Sequence, residues 1–373
     1  MNVRKRIVKR INEYRGVICI GIGKQFEGLE QLFGELQLLN NVKACFDNNE
    51  TKHGKTITLG KRAMVVEPIE NICRFNNTNT LIVIAILKSE DVRKQLDRLK
   101  LHVDIVDYSH ILHVIREDDA MKKNIPGSIR LTQAPVIPKV IHYCWFGNGV
   151  IPDLHKKYIE GWHEKCPDYE IKLWNEKNYD VNKNQYMKEA YNSKCWGFVP
   201  DYARLDIIYQ YGGIYLDTDV ELLRNMDDML YQSGFAGVEP GNRVAFGLGF
   251  GAVAGLSIIK ELRDAYKSIR FIKENAQINN KPSPVYQTEK LKEYGFRQNG
   301  EYQIVEGLTI FPEKMFCPQP GAMQVIRTKS YTCSIHHYEG SWLDEEKKRD
   351  NNIWAIRYNE FLRKWGVQYN GGK

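Results

Sequence analysis

The chain has 373 residues, 43% of them hydrophobic and 27% charged, which is enough apolar content for two domains with buried cores and too much for a disordered chain. Its formal charge of +7 is mild for this length, and with no nucleic-acid-binding signature beside it, nucleic acid is not an expected partner. The eight cysteines are scattered with no Cys-x-x-Cys pair, which speaks against a zinc site or a disulfide scaffold and for a reducing compartment.

The chain opens on Arg4, Lys5, Arg6, Lys9 and Arg10, with Val3, Ile7, Val8 and Ile11 roughly along one face of a helix. Gly16 to Ile20 then reads as a strand running into Gly21-Ile-Gly23, where Phe26 stands in place of the third glycine of a nucleotide fingerprint. Val42 to Phe46 is a second strand, ending in Asp47, and Thr80 to Leu87 is a third, far short of the roughly 20 apolar residues that cross a bilayer. Helical spacers between these strands predict a small Rossmann-like parallel-sheet domain over 1–125, ahead of a second domain over 126–373. With Lys52-His-Gly54 following Asp47, the pattern resembles the small Rossmann modules attached to bacterial sugar-modifying enzymes. Gly21, Gly23 and Asp47 are its candidate cofactor-binding residues, and a structural accessory is its default role.

Polar, turn-forming residues from Glu117 to Gly127 mark the boundary. Pro135 and Pro138 lead into a strand whose β-forming residues, Val140 to Cys144, end at Trp145-Phe-Gly147. Pro200 opens a helix in which Leu205, Ile208 and Tyr209 fall at helical spacing, with Gly212-Gly213 as its stop. Asp201 and Arg204 share one face of it. Ile214-Tyr215-Leu216 is a short buried strand delivering Asp217 and Asp219, which strand alternation points to one side. Two carboxylates so placed suit a hard divalent cation, and a cation there would bridge the phosphates of an activated substrate. Phe235 to Glu239 reads as a further strand, followed by a glycine-rich apolar run to Ala254, with Glu239 and Asn242 as candidates for either a sugar contact or a turn.

The run from Asp201-x-x-Arg204 through Tyr211-Gly-Gly-Ile-Tyr215-Leu-Asp217-Thr-Asp219 resembles the signature of the family-32 glycosyltransferases, which include capsular polysaccharide enzymes, and the core of the clostridial toxin glucosyltransferases. Ile137 to Gly147 resembles the first strand of that catalytic domain, and Ser334-Ile-His336-His337-Tyr-Glu-Gly-Ser341-Trp342 its closing loop. The resemblance implies an α/β, GT-A type nucleotide-sugar-binding domain and a metal-dependent hexosyl transfer with retention. Asp201, Arg204, Asp217 and Asp219 would be catalytic. Trp145, stacking on the base, with Tyr215, Ser341 and Trp342, would bind the donor. Asp217 and Asp219 with His336 or His337 would hold Mn2+ or Mg2+; strand alternation admits only one of the histidines as a ligand.

The donor implied is a nucleotide-diphosphate sugar, UDP-linked by the toxin-like features, and the acceptor a growing surface polysaccharide or lipid-linked oligosaccharide. A protein or lipid acceptor is the nearest alternative. Readings from other classes are a nucleotide-sugar-binding scaffold, or an NAD-linked oxidoreductase seated on Gly21 and Gly23, which the missing third glycine disfavours. Without an apolar leader the chain is expected in the cytoplasm. An apolar stripe of Ile353, Trp354, Tyr358, Phe361, Leu362 and Trp365, like the amino-terminal helix, would suit the inner face of an anionic membrane as a peripheral contact. Packing of both stripes on their own domains is the simpler expectation.

Overall fold

The computed structural model describes residues 2–76, 79–318, 326–339 and 345–367. These fall into two compact units, one formed by the residues up to Asp119 together with those from Ile356 onward, the other by Ala120–Ala355.

In the first unit six strands, β1 (Gly16–Ile20), β2 (Val42–Phe46), β3 (Thr56–Leu59), β4 (Arg62–Glu67), β5 (Thr80–Ile84) and β6 (Asp104–Asp107), form one sheet in the order β3-β4-β2-β1-β5-β6. All neighbours run parallel except β3 and β4. Strands β1 and β5 are buried at every position, which is why both read as unbroken apolar runs. The helices α1 (Val3–Asn12), α2 (Lys24–Glu35) and α3 (Glu90–Arg98) turn apolar side chains inward, and α4 (Tyr108–Lys122) follows β6.

The two stripes considered for a membrane surface are largely core. Val3, Ile7 and Ile11 of α1 are buried, as are Tyr358, Phe361 and Trp365 of the C-terminal helix Glu345–Lys364. The rings of Tyr358 and Phe361 lie against His110, while Arg357 is paired with Glu90 at 2.7 Å. Burying such a stripe within the unit gains more than leaving it for an occasional surface; Val8, Ile353, Trp354 and Leu362 of the two stripes stay half-buried. Among the described residues no helix is long and apolar enough to cross a membrane.

The second unit is mixed α/β. Its main sheet contains β7 (Val140–Cys144), β8 (Glu170–Trp174), β9 (Gly213–Tyr215), β11 (Gly234–Glu239), β12 (Arg243–Ala245), β13 (Phe250–Ala252), β14 (Gln303–Val305) and β15 (Leu308–Phe311), and a small antiparallel ribbon pairs β10 (Val220–Leu222) with β16 (Ser334–His336). The order β14-β15-β11-β13-β9-β7-β8 puts β9 inside the sheet, parallel to β7 and antiparallel to β13. The helices are α5 (Asp153–Lys165), α6 (Gln185–Asn192), α7 (Pro200–Tyr211), α8 (Ser257–Asp264) and α9 (Ser283–Lys292).

Helix α7 fixes where β9 begins. Ala203, Leu205, Ile207 and Ile208 are all buried, so the helix is clasped on more than one side and cannot rotate. It ends at Gly212, whose φ of 65° suits glycine and whose N–H donates to the Ile208 carbonyl at 2.9 Å. A Cβ on Gly213 would stand 2.8 Å from the Val140 carbonyl oxygen, so β7 approaches β9 as closely as it does only because this residue is glycine. Beside it the buried His142 accepts from the Trp174 indole N–H and donates to the Gly212 carbonyl, each at 3.0 Å. Burial holds its pKa down to about 4, so the imidazole stays neutral as a structural pin.

Candidate active site

The carboxylates gather where α7 and β9 meet. Asp201 lies in the first turn of α7, one helical step before Arg204, and both are buried. Arg204 Nη2 stands 3.3 Å from Asp201 Oδ1 and 3.3 Å from Asp217 Oδ1, and the guanidinium lies over the Tyr215 ring. The Tyr186 hydroxyl donates to Asp201 Oδ2 at 3.1 Å, and that of Tyr215 to Asp217 Oδ1 at 3.0 Å. Asp201, Arg204, Asp217 and Tyr215 thus form one tightly connected cluster.

Asp217 and Asp219 converge by a different route from simple alternation. Strand β9 stops at Tyr215, and the Val220 N–H closes a turn on the Asp217 carbonyl at 3.1 Å. Asp219 then enters the ribbon side, where its Oδ1 faces His336 Nε2 at 3.3 Å and its Oδ2 accepts the Glu339 N–H at 3.1 Å. One ligand atom from each of Asp217, Asp219 and His336 lies within 4.8 Å of the others.

The adjacent His337 goes elsewhere. Its Nε2 bonds Glu221 Oε2 at 2.9 Å and its ring stacks on Tyr158 at 4.7 Å, outside the trio. Trp145, directly after β7, is half-buried and donates its indole N–H to the Gly149 carbonyl at 2.7 Å. Ser341 and Trp342 lie outside the described residues.

Electrostatics separate the carboxylates. Burial raises Asp201 to about 6 against the opposing pull of Arg204, and burial, aided by the charge of Asp219, raises Asp217. Asp219 is half-buried and desolvation penalises its charge too, but the charge and hydrogen bond of His336 and the Glu339 N–H outweigh that penalty and hold it low. His336 answers in kind: burial disfavours its charge, and Asp219, Asp217 and Glu239 together raise it nonetheless. The two aspartates are neighbouring acceptors suited to a shared cation.

The residues fit one. Two carboxylate oxygens and an imidazole nitrogen are a donor set for Mn2+ or Mg2+, and His336 presents Nε2 to Asp219, the face a metal would share. Its buried Nδ1 has no hydrogen-bond partner among the described residues.

Gly247, within the glycine-rich run, completes the site. A Cβ there would stand 2.2 Å from Asp217 Oδ2 and 3.1 Å from Arg204 Nη1, and its carbonyl accepts the Asp217 N–H at 3.2 Å. Gly247→Ala is therefore expected to push the Asp217 carboxylate out of place, costing about 1–3 kcal/mol of stability as overpacking and weakening Mn2+ binding. Calorimetric titration with Mn2+ checks this, and an unchanged affinity would contradict it. The sequence holds a hint only in the repeated glycines from Gly247 to Gly251.

Glu239 is ion-paired with Arg243 at 2.8 Å, and Asn242 takes a left-handed φ of 58° in the turn between β11 and β12. In α9, Thr288 Oγ1 accepts the Val244 N–H, so the segment after Pro282 anchors β12.

In the first unit Gly21, Gly23 and Asp47 are brought together at the ends of β1 and β2, but the carboxylate is already engaged. Asp47 accepts the N–H of Ile22 at 2.6 Å and of Asn49 at 2.8 Å, and Lys52 Nζ at 2.8 Å. Lys52 also donates to the Ile22 carbonyl at 2.7 Å, so the loop is tied by the chain's own side chains.

Asp201 carries a pH prediction. Its folded pKa of about 6 lies above the ordinary value of 3.8, so the folded state binds the extra proton between the two. The associated stability is full below about pH 4 and is lost as pH rises through about 6. The melting temperature of the metal-free protein is expected to fall over that window relative to Asp201→Asn, and parallel curves for the two proteins would refute it.

Residues 152–236, less than a quarter of the chain, match the family described as the glycosyltransferase sugar-binding region containing DXD motif, with Asp217-Thr-Asp219 inside the match. Inositol phosphoceramide mannosyltransferase 3 of Schizosaccharomyces pombe is 34% identical over 130 residues, 32% of this chain and 33% of that protein. Subversion of eukaryotic traffic protein A of Legionella pneumophila is 26% identical over 140 residues, 30% of this chain and 21% of its own length. The chain thus spans about a third or less of these curated relatives. A solved structure, PaToxG glycosyltransferase, aligns with 54% of this chain and 79% of its own at 16% identity and a TM-score of 0.34, a likeness too slight to carry an argument. Asp201, Arg204, Asp217 and Asp219 all lie within the residues that match this sugar-binding region.

Proposed function

We propose that this protein is a metal-dependent, retaining glycosyltransferase of GT-A type that moves a hexose from a nucleotide-diphosphate sugar to a hydroxyl of a surface polysaccharide or lipid-linked oligosaccharide. The observation that carries the reading is the convergence of Asp217, Asp219 and His336 beside the buried Asp201–Arg204 pair.

When bound there, Mn2+ or Mg2+ supplies charge neutralisation for a departing diphosphate. Arg204, anchored by two aspartates, is held to meet the sugar or its phosphate without a reorganisation cost, and such preorganised charge is commonly the largest catalytic contribution. Asp201 orients Arg204 and offers an acceptor to sugar hydroxyls. Tyr215 fixes the Asp217 carboxylate through its hydroxyl. Trp145, its indole edge fastened to Gly149, presents a flat apolar surface for the base.

The first unit we read as a Rossmann-like accessory in which Asp47 serves its own loop. The cytoplasm is the proposed compartment. The mannosyltransferases among the relatives support trying a mannose donor beside UDP-sugars, and the ceramide in their names keeps a lipid acceptor as the alternative.

The test is a thermal-shift and hydrolysis screen of UDP-sugars and GDP-mannose, with and without Mn2+, on the intact chain and on Asp217→Ala/Asp219→Ala. A metal-dependent shift and slow release of one nucleoside diphosphate, both lost in the variant, are expected. A chain that responds to no donor with metal present, or whose response survives both substitutions, removes the proposal.

A further inference from the structure

Helix α5 faces the metal-ligand turn with three side chains at helical spacing, His155, Tyr158 and Trp162, and each holds a different part of it. His155, 5% exposed, is hydrogen-bonded through Nδ1 to Thr218 Oγ1 at 2.8 Å. Trp162, fully buried, donates its indole N–H to the Val220 carbonyl at 2.8 Å. Asp219 is thus flanked by two residues that the same helix fastens, one through its side chain and one through its backbone. Tyr158 reaches the turn indirectly, stacking on His337, whose N–H donates to the Asp219 carbonyl at 3.0 Å.

The imidazole of His155 has a second neighbour. Its ring meets the Trp145 indole edge to face, with centroids 5.8 Å apart and planes at 79°. A buried apolar residue would fill the same volume, but it would leave the Thr218 hydroxyl without this bond and the ring plane against Trp145 unfixed. The hydrogen bond sets the rotation of the imidazole, and the rotation sets what Trp145 packs on.

We infer that His155 is a positioning residue that couples the metal-ligand turn to the indole proposed to carry the base. This rests on the glycosyl-transfer reading of the site. His155 acts through Thr218 on Asp219 and through its ring on Trp145, and it is neither a metal ligand nor in contact with the reacting atoms. Groups that orient metal ligands typically change affinity about 10- to 100-fold when removed.

The test uses the intact chain and two binding readouts, Mn2+ alone by electron paramagnetic resonance and UDP or GDP without metal by calorimetry. Thr218→Val, nearly isosteric, is expected to weaken Mn2+ binding about 10-fold or more, and Thr218→Ser to restore it within about 2-fold. His155→Leu is expected to match Thr218→Val for Mn2+, and both are expected to weaken the nucleotide measured without metal, His155→Leu the more because it also removes the ring that Trp145 packs on. Because one bond is lost in either case, the double variant should bind Mn2+ no more weakly than the weaker single one. Mn2+ affinity unchanged in Thr218→Val, losses that add in the double variant, or nucleotide binding untouched by His155→Leu would each overturn the inference. If His155→Leu does not fold, the Thr218→Val and Thr218→Ser pair decides through Mn2+. Should the wild-type chain bind neither Mn2+ nor a nucleoside diphosphate, the transferase reading falls, and this inference with it; normal wild-type binding with insensitive variants removes the inference alone.

Discussion

Asp219→Asn is expected to abolish metal-dependent donor turnover while leaving the fold in place. Asp219 is the carboxylate held furthest toward ionisation, with His336 Nε2 at 3.3 Å and the Glu339 N–H on its other oxygen. An amide keeps the size and can still accept the Glu339 N–H, but it removes the charge that a cation needs. His336 loses the largest of the charges that raise it, and burial then draws it toward the neutral form, which limits the cost to the fold. Metal assistance is commonly worth several kcal/mol at the transition state, so the rate should fall by about a thousandfold or more. The check is nucleoside diphosphate release across a Mn2+ titration, with the melting temperature measured alongside. A variant retaining more than about a tenth of the wild-type rate at any Mn2+ concentration would take Asp219 out of the site.

Arg204→Leu is expected to damage stability as well as activity. The guanidinium is 5% exposed and balances Asp201 and Asp217 at once. Removing it leaves the buried Asp201 carboxylate without its counter-charge and takes from the half-buried Asp217 one of its two, and breaking a buried pair in this way costs about 3–5 kcal/mol. For a unit of this size that is a drop of roughly 6–20 °C in melting temperature. Part of the loss is expected to return in Arg204→Leu/Asp201→Asn, because the second change deletes a stranded charge. Scanning calorimetry of the two variants checks this: if the double variant melts no higher than the single one, the pair is not what holds the helix start. Neither variant is expected to turn over donor, so stability and catalysis separate in this pair.

The helix from Pro200 and its glycine stop are legible in the sequence because both signals are local. Proline fits a first turn, and a glycine at φ of 65° fits a helix end, whatever surrounds them. The parallel strands of the first unit are equally plain, since burial on both faces writes itself as continuous apolar runs at Val17–Ile20 and Leu81–Ile84. The amphipathic stripes of α1 and the C-terminal helix are visible too, but a stripe says only that something covers it. The fold supplies the cover for Ile7, Ile11, Tyr358 and Phe361.

His336 and His337 show where sequence reasoning stops. Strand alternation separates them without saying which faces Asp219, because that depends on the register of β16 on β10, where His336 pairs with Val220. Gly247 and His155 carry no local signal of function: one matters because a Cβ would collide with the carboxylate of Asp217, the other because a helix packs against a turn 63 residues later. By itself, then, the sequence determined the elements, the charged side chains at α7 and after β9, and the chemistry those side chains can do, all properties of neighbours within a turn or a strand. Only the tertiary structure decided which histidine joins the aspartates, that the Asp217–Val220 turn brings the two carboxylates together, that Asp47 is tied to its own loop, and that the basic, apolar-striped ends pack inward, because each is a contact between segments whose approach is set by packing across the whole unit.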